Sequence, residues 1–151
     1  MPMSQRQQGL ILNAIYNATA YSSPATVYFG LSTQAVSGAT DALILSGEPA
    51  VTTGAYARVS KTANTTNFPT ATGSNPTLLA NGTAVSFPTS TGSGYSTGAS
   101  TLGTLFASDG ATPGAGNVIW YGQITSSGTL VVNAAGITIS FAIGAIQFTL
   151  F

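Results

Sequence analysis

The chain carries few side chains that could perform acid–base, nucleophilic or metal chemistry. Histidine and cysteine are absent from its 151 residues, which excludes the usual Ser–His–Asp and Cys–His catalytic sets and the zinc sites built from those ligands. Asp41 and Glu48 form the one carboxyl pair close in sequence, and a glycosidase needs two acids that flank the scissile bond. With Asp109 they could instead bind a hard cation through oxygen atoms. Because both acids lie in a Gly- and Thr-rich segment, solvation or a salt bridge is simpler, and we predict no catalytic, cofactor or metal site.

The basic side chains are equally few, and two of them share a predicted strand. Arg58 and Lys61 are three residues apart at 55–61, so they point to opposite faces of that strand. Any of the three acids of the chain could pair with Arg58. A local ion pair is the simpler interpretation, and a pair between subunits is the functional alternative. Three cations cannot neutralise a run of phosphates, and no basic amphipathic stretch is present, so neither nucleic acid nor a membrane is expected as a partner.

The low charge content points to association with other proteins. Six charged side chains make up 4% of the chain and give a formal net charge of zero, whereas soluble domains carry about 25% charged residues. A net charge away from zero normally keeps monomers apart. Apolar residues reach 44%, which is enough for one domain with a real core. We therefore predict a surface that is partly covered by copies of the chain or by a partner protein.

The first segment of the chain is the one predicted helix. Within residues 4–18, apolar side chains recur at spacings of three and four and share a face: Leu10, Ile11, Ala14, Ile15 and Ala18. Ser4 can cap the start of this helix, and Gly9 weakens it by about 1 kcal/mol relative to Ala.

After Pro24 the apolar period changes to two, which is typical of strands. We predict about eight short strands bounded by Gly, Pro, Asn or Ser, at 27–32, 55–61, 83–87, 102–107, 118–124, 129–132, 137–143 and 146–150. Long connections are predicted at 35–53, 64–82 and 89–100, and a turn at 109–116. The apolar C-terminal stretch alternates with polar residues and so indicates strands, not a membrane span, and no signal peptide is predicted.

These elements predict a single all-β domain, an antiparallel β-sandwich or jelly-roll-like fold at 21–151 with a short N-terminal helix or arm at 1–20. Trp120 and Tyr121 lie on opposite faces of one predicted strand. We expect Trp120 in the core and Tyr121 at an interface, where tyrosine is enriched.

Five segments of the chain resemble a known family. They are ATVYFGLST (25–33), GAYARV (54–59), NGTAVSFP (81–88), NVIWYG (117–122) and AIGAIQFTL (142–150). In this order they resemble small virion proteins of tailed bacteriophages, labelled tail fibre protein or capsid decoration (cement) protein, over about residues 20–151. The chain departs from the pattern at 64–80, which is longer and richer in Thr, and at 92–101, which lacks a Trp. The family implies no catalytic residues.

The resemblance implies a non-enzymatic component of the virion. Our main hypothesis is a capsid decoration protein, a homotrimer seated on the lattice of the major capsid protein. The alternatives are a tail or tail-fibre component, a host-glycan-binding module, and an enzyme such as a glycan depolymerase. The candidate interface residues are the helix face, two aromatics and the isolated arginine: Leu10, Ile11, Ile15, Tyr21, Tyr121 and Arg58.

Overall fold

A computed structural model describes residues 3–37, 40–73, 77–95, 101–124 and 130–150 of the protein. Along these ranges the chain forms α1 (Gln5–Tyr16), β1 (Thr26–Ser32), α2 (Asp41–Ser46), β2 (Val59–Thr62), β3 (Thr77–Ala80), β4 (Val85–Ser86), β5 (Thr104–Ser108), β6 (Val118–Gln123), β7 (Ser140–Phe141) and β8 (Gln147–Leu150). Neither helix is long and apolar enough to cross a bilayer, as far as the described residues extend.

The predicted N-terminal helix is confirmed, and its cap is the predicted one. The Ser4 hydroxyl accepts a hydrogen bond from the Gln7 backbone N–H at 3.2 Å, which satisfies one of the free amides of the first turn. The helix ends at Tyr16, two residues earlier than predicted.

The start of the chain is also joined to the edge of β6. The Ser4 backbone N–H donates to the Ile119 carbonyl at 2.9 Å, and its hydroxyl donates to the Val118 carbonyl at 2.6 Å. Met3 forms an isolated antiparallel bridge with Trp120. The arm thus fixes the position of α1 against one edge of the sheet.

The strands pair only antiparallel in the described part of the chain, which confirms the all-β prediction. Four of them form a sheet in the order β2-β1-β5-β6, and two ribbons pair β3 with β8 and β4 with β7. In the centre of the sheet Phe29 lies opposite both Val59 and Ala107, and a register shift follows Ala107 where β5 meets β6.

The main core lies between the four-stranded sheet and the ribbons. Alternate residues of the strands point into it, and its buried members include Phe29, Leu31, Val85, Phe87, Leu105, Ala107, Ile146 and Phe148. The opposite face of the sheet is covered by α2, where Ile44 packs on Phe106 and Val118. Because β5 is covered on both faces, all five of its residues are buried.

Several predicted boundaries were wrong. The connection predicted at 35–53 contains α2, and the one at 64–82 contains β3. The predicted strands at 83–87 and 137–143 shrink to the two-residue strands β4 and β7. Near 129–132 the described residues contribute only an isolated bridge between Leu130 and Leu102, and residues 96–100 and 125–129 lie outside the described part.

Candidate functional site

Glu48 and Arg58, two of the residues considered for chemistry, form a buried ion pair within the chain. Both side chains are fully buried. Arg58 Nε donates to Glu48 Oε1 at 2.8 Å and Arg58 Nη2 donates to Glu48 Oε2 at 2.5 Å, which is the two-point geometry that guanidinium and carboxylate favour. The remaining nitrogen, Nη1, donates to Ser108 Oγ and to the carbonyls of Gly110 and Ala115. Arg58 therefore forms the local ion pair within the chain, as the simpler interpretation predicted.

The carboxylate of Glu48 has two further partners. The Tyr56 hydroxyl donates to Oε1 at 2.8 Å while it accepts the Leu31 backbone N–H at 2.9 Å. The Gly114 N–H donates to Oε2 at 2.7 Å. Burial and the negative charge of Glu48 raise the pKa of Tyr56 far above its ordinary value. The cluster thus ties the turn after β5 to the sheet and engages both oxygens of the Glu48 carboxylate.

Gly30 and Phe106 complete the enclosure of this ion pair. The Arg58 guanidinium carbon lies 5.1 Å from the centre of the Phe106 ring, within range of a cation–π contact. A Cβ atom at position 30 would lie 2.3 Å from the ring and 2.8 Å from Glu48 Oε1. Only glycine fits there, because the ring and the carboxylate occupy the space a side chain would need.

Asp41 does not join Glu48 in a two-acid site. It opens α2, and partial burial raises its pKa, while the nearby positive charge of Arg6 lowers it by a smaller amount. Among the residues that the structure describes, no group of three or more acidic side chains could hold a metal ion.

The helix α1 exposes apolar side chains around most of its circumference. Gln7 is its one buried residue, and Ile11 is half-buried. Four large apolar residues, which we call the α1 apolar surface, are exposed by 36–78%: Leu10, Leu12, Ile15 and Tyr16. Large apolar side chains that are exposed together normally mark a surface that contacts another protein. Leu12 and Tyr16 were missed because they lie off the face that the sequence spacing defined.

An apolar depression of about 480 Å³ opens beside the base of α1. We call it the aromatic groove, and its walls include Tyr21, Val27, Phe68, Leu79, Trp120 and Phe148. Trp120 meets Phe148 edge-on, with ring centres 5.6 Å apart. Trp120 packs against the core as predicted but is only half-buried, because its outer side lines the groove.

Of the predicted interface residues, Tyr21 lies with α1 and Tyr121 does not. Tyr21 is exposed at the rim of the groove, and its hydroxyl accepts a hydrogen bond from the Gln7 side chain. Tyr121 is half-buried against the Phe106 cluster, on the face of the sheet opposite Trp120. The structure therefore brings the helix residues and Tyr21 together at one end of the sheet.

Comparison with known proteins adds one match. The model of the family "Podophage GP4 fiber I protein gp80" matches residues 2–149, nearly the whole chain. None of the curated proteins matches it.

Proposed function

Because the chain belongs to the podophage GP4 fiber I protein gp80 family and is a virion component of a tailed phage, we propose that it serves as a fibre subunit at the phage tail. Family membership is the observation that carries this proposal. It favours the tail-fibre alternative over capsid decoration, our main hypothesis from sequence, which it does not support.

The fibre is proposed to form by association of identical subunits through the α1 apolar surface. Its four side chains are exposed by 36–78%, so covering them contributes on average about 1 kcal/mol apiece. Association costs about 4–15 kcal/mol in lost translational and rotational freedom. The helix alone is therefore insufficient, and the interface must include further surface of the subunit.

The proposal assigns the protein no catalytic role. Glu48, one member of the candidate acid pair, is fully engaged by Arg58, Tyr56 and Gly114. A general acid or nucleophile must instead reach the substrate. Binding and mechanical support, not bond cleavage, are the roles that this arrangement favours.

The location is tested by labelling purified virions with gold-conjugated antibody against the chain. Gold confined to the tail end is expected. Gold spread over the whole head would instead support capsid decoration, and unlabelled intact particles would contradict a virion role.

Association is tested with two matched substitutions, Ile15→Asn and Ile143→Asn. Both isoleucines are exposed, by 65% and 70% respectively, but Ile143 lies between β7 and β8, away from α1. We expect sedimentation to show oligomers for the parent chain and for Ile143→Asn, and a shift towards monomer for Ile15→Asn. Equal effects of both substitutions would remove α1 from the interface.

A further inference from the structure

We infer that the aromatic groove receives the α1 apolar surface of a second copy of this chain. The inference rests on the proposed function, since it names the surface that one fibre subunit offers to the helix of the next. It also supplies the additional contact area that α1 by itself lacks.

The chemistry of the groove selects an apolar occupant. Its walls are mostly aromatic and aliphatic, with polar side chains at Ser23, Asn64, Thr65 and Thr77, and no charged residue lines it in the described part of the chain. The amide oxygen of Asn64, at the rim, already accepts hydrogen bonds from the backbone N–H groups of Thr66 and Asn67. A sugar would need several convergent polar partners to replace its lost hydration. A helix surface built from leucine, isoleucine and tyrosine needs none.

Charge also favours a second copy over an unrelated partner. The α1 helix carries one charged side chain, Arg6, near its start, and none in its apolar C-terminal half. The chain has a formal net charge of zero, so identical subunits do not repel one another as most proteins do. An uncharged helix surface therefore meets an uncharged groove without burying an unpaired ion.

The helix and the groove lie at the same end of the subunit. Met3 bridges to Trp120, and Gln7 bonds to Tyr21, so the base of α1 adjoins two walls of the groove. A helix of 12 residues is about 18 Å long, whereas a stable interface buries about 800 Å² on each partner. When each subunit both inserts its helix and receives one, two such contacts form per copy. A reciprocal exchange between two copies closes a dimer, whereas an exchange passed from one copy to the next forms a ring or a filament.

The chain contains no cysteine, which permits a direct test by disulfide cross-linking. One variant carries Ile15→Cys on the helix, and another carries Ala71→Cys at the exposed rim of the groove. The two purified variants are mixed, left until their subunits have exchanged, and then oxidised mildly. We expect a mixed disulfide dimer between the two variants. The control replaces the helix variant with Ile143→Cys, which has a similar exposure and should give no mixed dimer above background.

A variant that carries both Ile15→Cys and Ala71→Cys decides whether the groove is filled by its own helix. Cross-linked dimers and higher species support exchange between copies. A disulfide formed only within one chain would mean that α1 closes on its own groove, and would overturn the inference.

Trp120 is the only tryptophan of the chain and provides a second readout without any cross-link. Entry of a helix should shift its emission to shorter wavelength as the protein concentration rises. Leu12→Asn should raise the midpoint of this transition about tenfold or more, as loss of an interface anchor does, and Ile143→Asn should leave it in place.

The outcomes separate this inference from the proposed function. Virion-borne oligomers that lack both the mixed disulfide and the Trp120 shift would refute the groove contact and leave the fibre role standing. A chain that stays monomeric and is absent from virions would refute both. Displacement of the Trp120 signal by a host glycan at unchanged oligomer size would assign the groove to sugar and also refute the inference.

Discussion

Removing the charge of Glu48 should cost the fold about 3 kcal/mol, because it leaves the Arg58 guanidinium buried without a counter-ion. Breaking a buried ion pair from one side typically costs about 3–5 kcal/mol. Glu48→Gln lies at the low end, since the amide oxygen can still accept from Arg58 and the three neutral acceptors of Nη1 remain. That is a large part of the 5–15 kcal/mol that stabilises a typical domain.

Arg58→Met should be more costly, at about 4–5 kcal/mol, because it strands a carboxylate and two carbonyls together. The Glu48 carboxylate would retain only the Tyr56 hydroxyl and the Gly114 N–H, while the carbonyls of Gly110 and Ala115 would lose the same donor. Arg58→Met is therefore expected to be the more destabilising of the two single substitutions, because it leaves more buried polar groups unpaired.

The double variant Glu48→Gln/Arg58→Met tests the coupling. It removes both charges at once, so it should cost clearly less than the sum of the single substitutions, with a coupling energy of about 2–3 kcal/mol. Urea unfolding followed by Trp120 fluorescence measures each value, and the slope against urea should stay unchanged. Lys61→Met, at a half-buried cation of β2, is the control and should shift stability by less than about 0.5 kcal/mol. Strict additivity, or a negligible effect of Glu48→Gln, would refute the reasoning.

Two smaller predictions concern the neighbouring tyrosines and Asp41. Tyr56→Phe should destabilise the fold by about 1–3 kcal/mol, since it leaves the Leu31 N–H unpaired. Tyr95→Phe should be neutral or stabilising in the same urea assay, because the described residues offer its buried hydroxyl no partner. The raised pKa of Asp41 means that the folded state binds its proton more tightly than the unfolded state, so the stability linked to this group is present at low pH and is lost as pH rises through the folded pKa. Asp41→Asn should remove this loss of unfolding free energy with rising pH. Unfolding curves measured between pH 3 and 7 would show the difference.

The strands that the sequence predicted best are those with long alternating patterns. β6 and β8 fall within their predicted ranges, and β1 begins one residue before its range. In each of these strands one set of alternate residues packs in or against the main core. The short elements were missed for the same reason. A helix of six residues such as α2 completes fewer than two turns, and β3 alternates too briefly to stand out in a Thr-rich stretch.

The candidate site was only partly predictable. An ion pair of Arg58 was expected, but its partner could not be chosen, because the selection of Glu48 depends on Tyr56, Gly114 and the space above Gly30 coming together from distant positions. The aromatic groove is likewise assembled from β1, β3, β6 and β8. Sequence spacing reports neighbours within an element and carries no information about such long-range contacts.

The buried ion pair strengthens the argument for self-association. With Glu48 and Arg58 enclosed, four charged side chains remain for the whole surface: Arg6, Asp41, Lys61 and Asp109. An interface formed from such a surface is driven by apolar burial, and salt weakens only ionic contacts. The dissociation constant of the oligomer should therefore change by less than about threefold between 50 and 500 mM NaCl, and sulfate should tighten it. Sedimentation across this series measures the constant. A steep loss of oligomer with added NaCl would reveal an ionic interface, which the α1 apolar surface cannot provide.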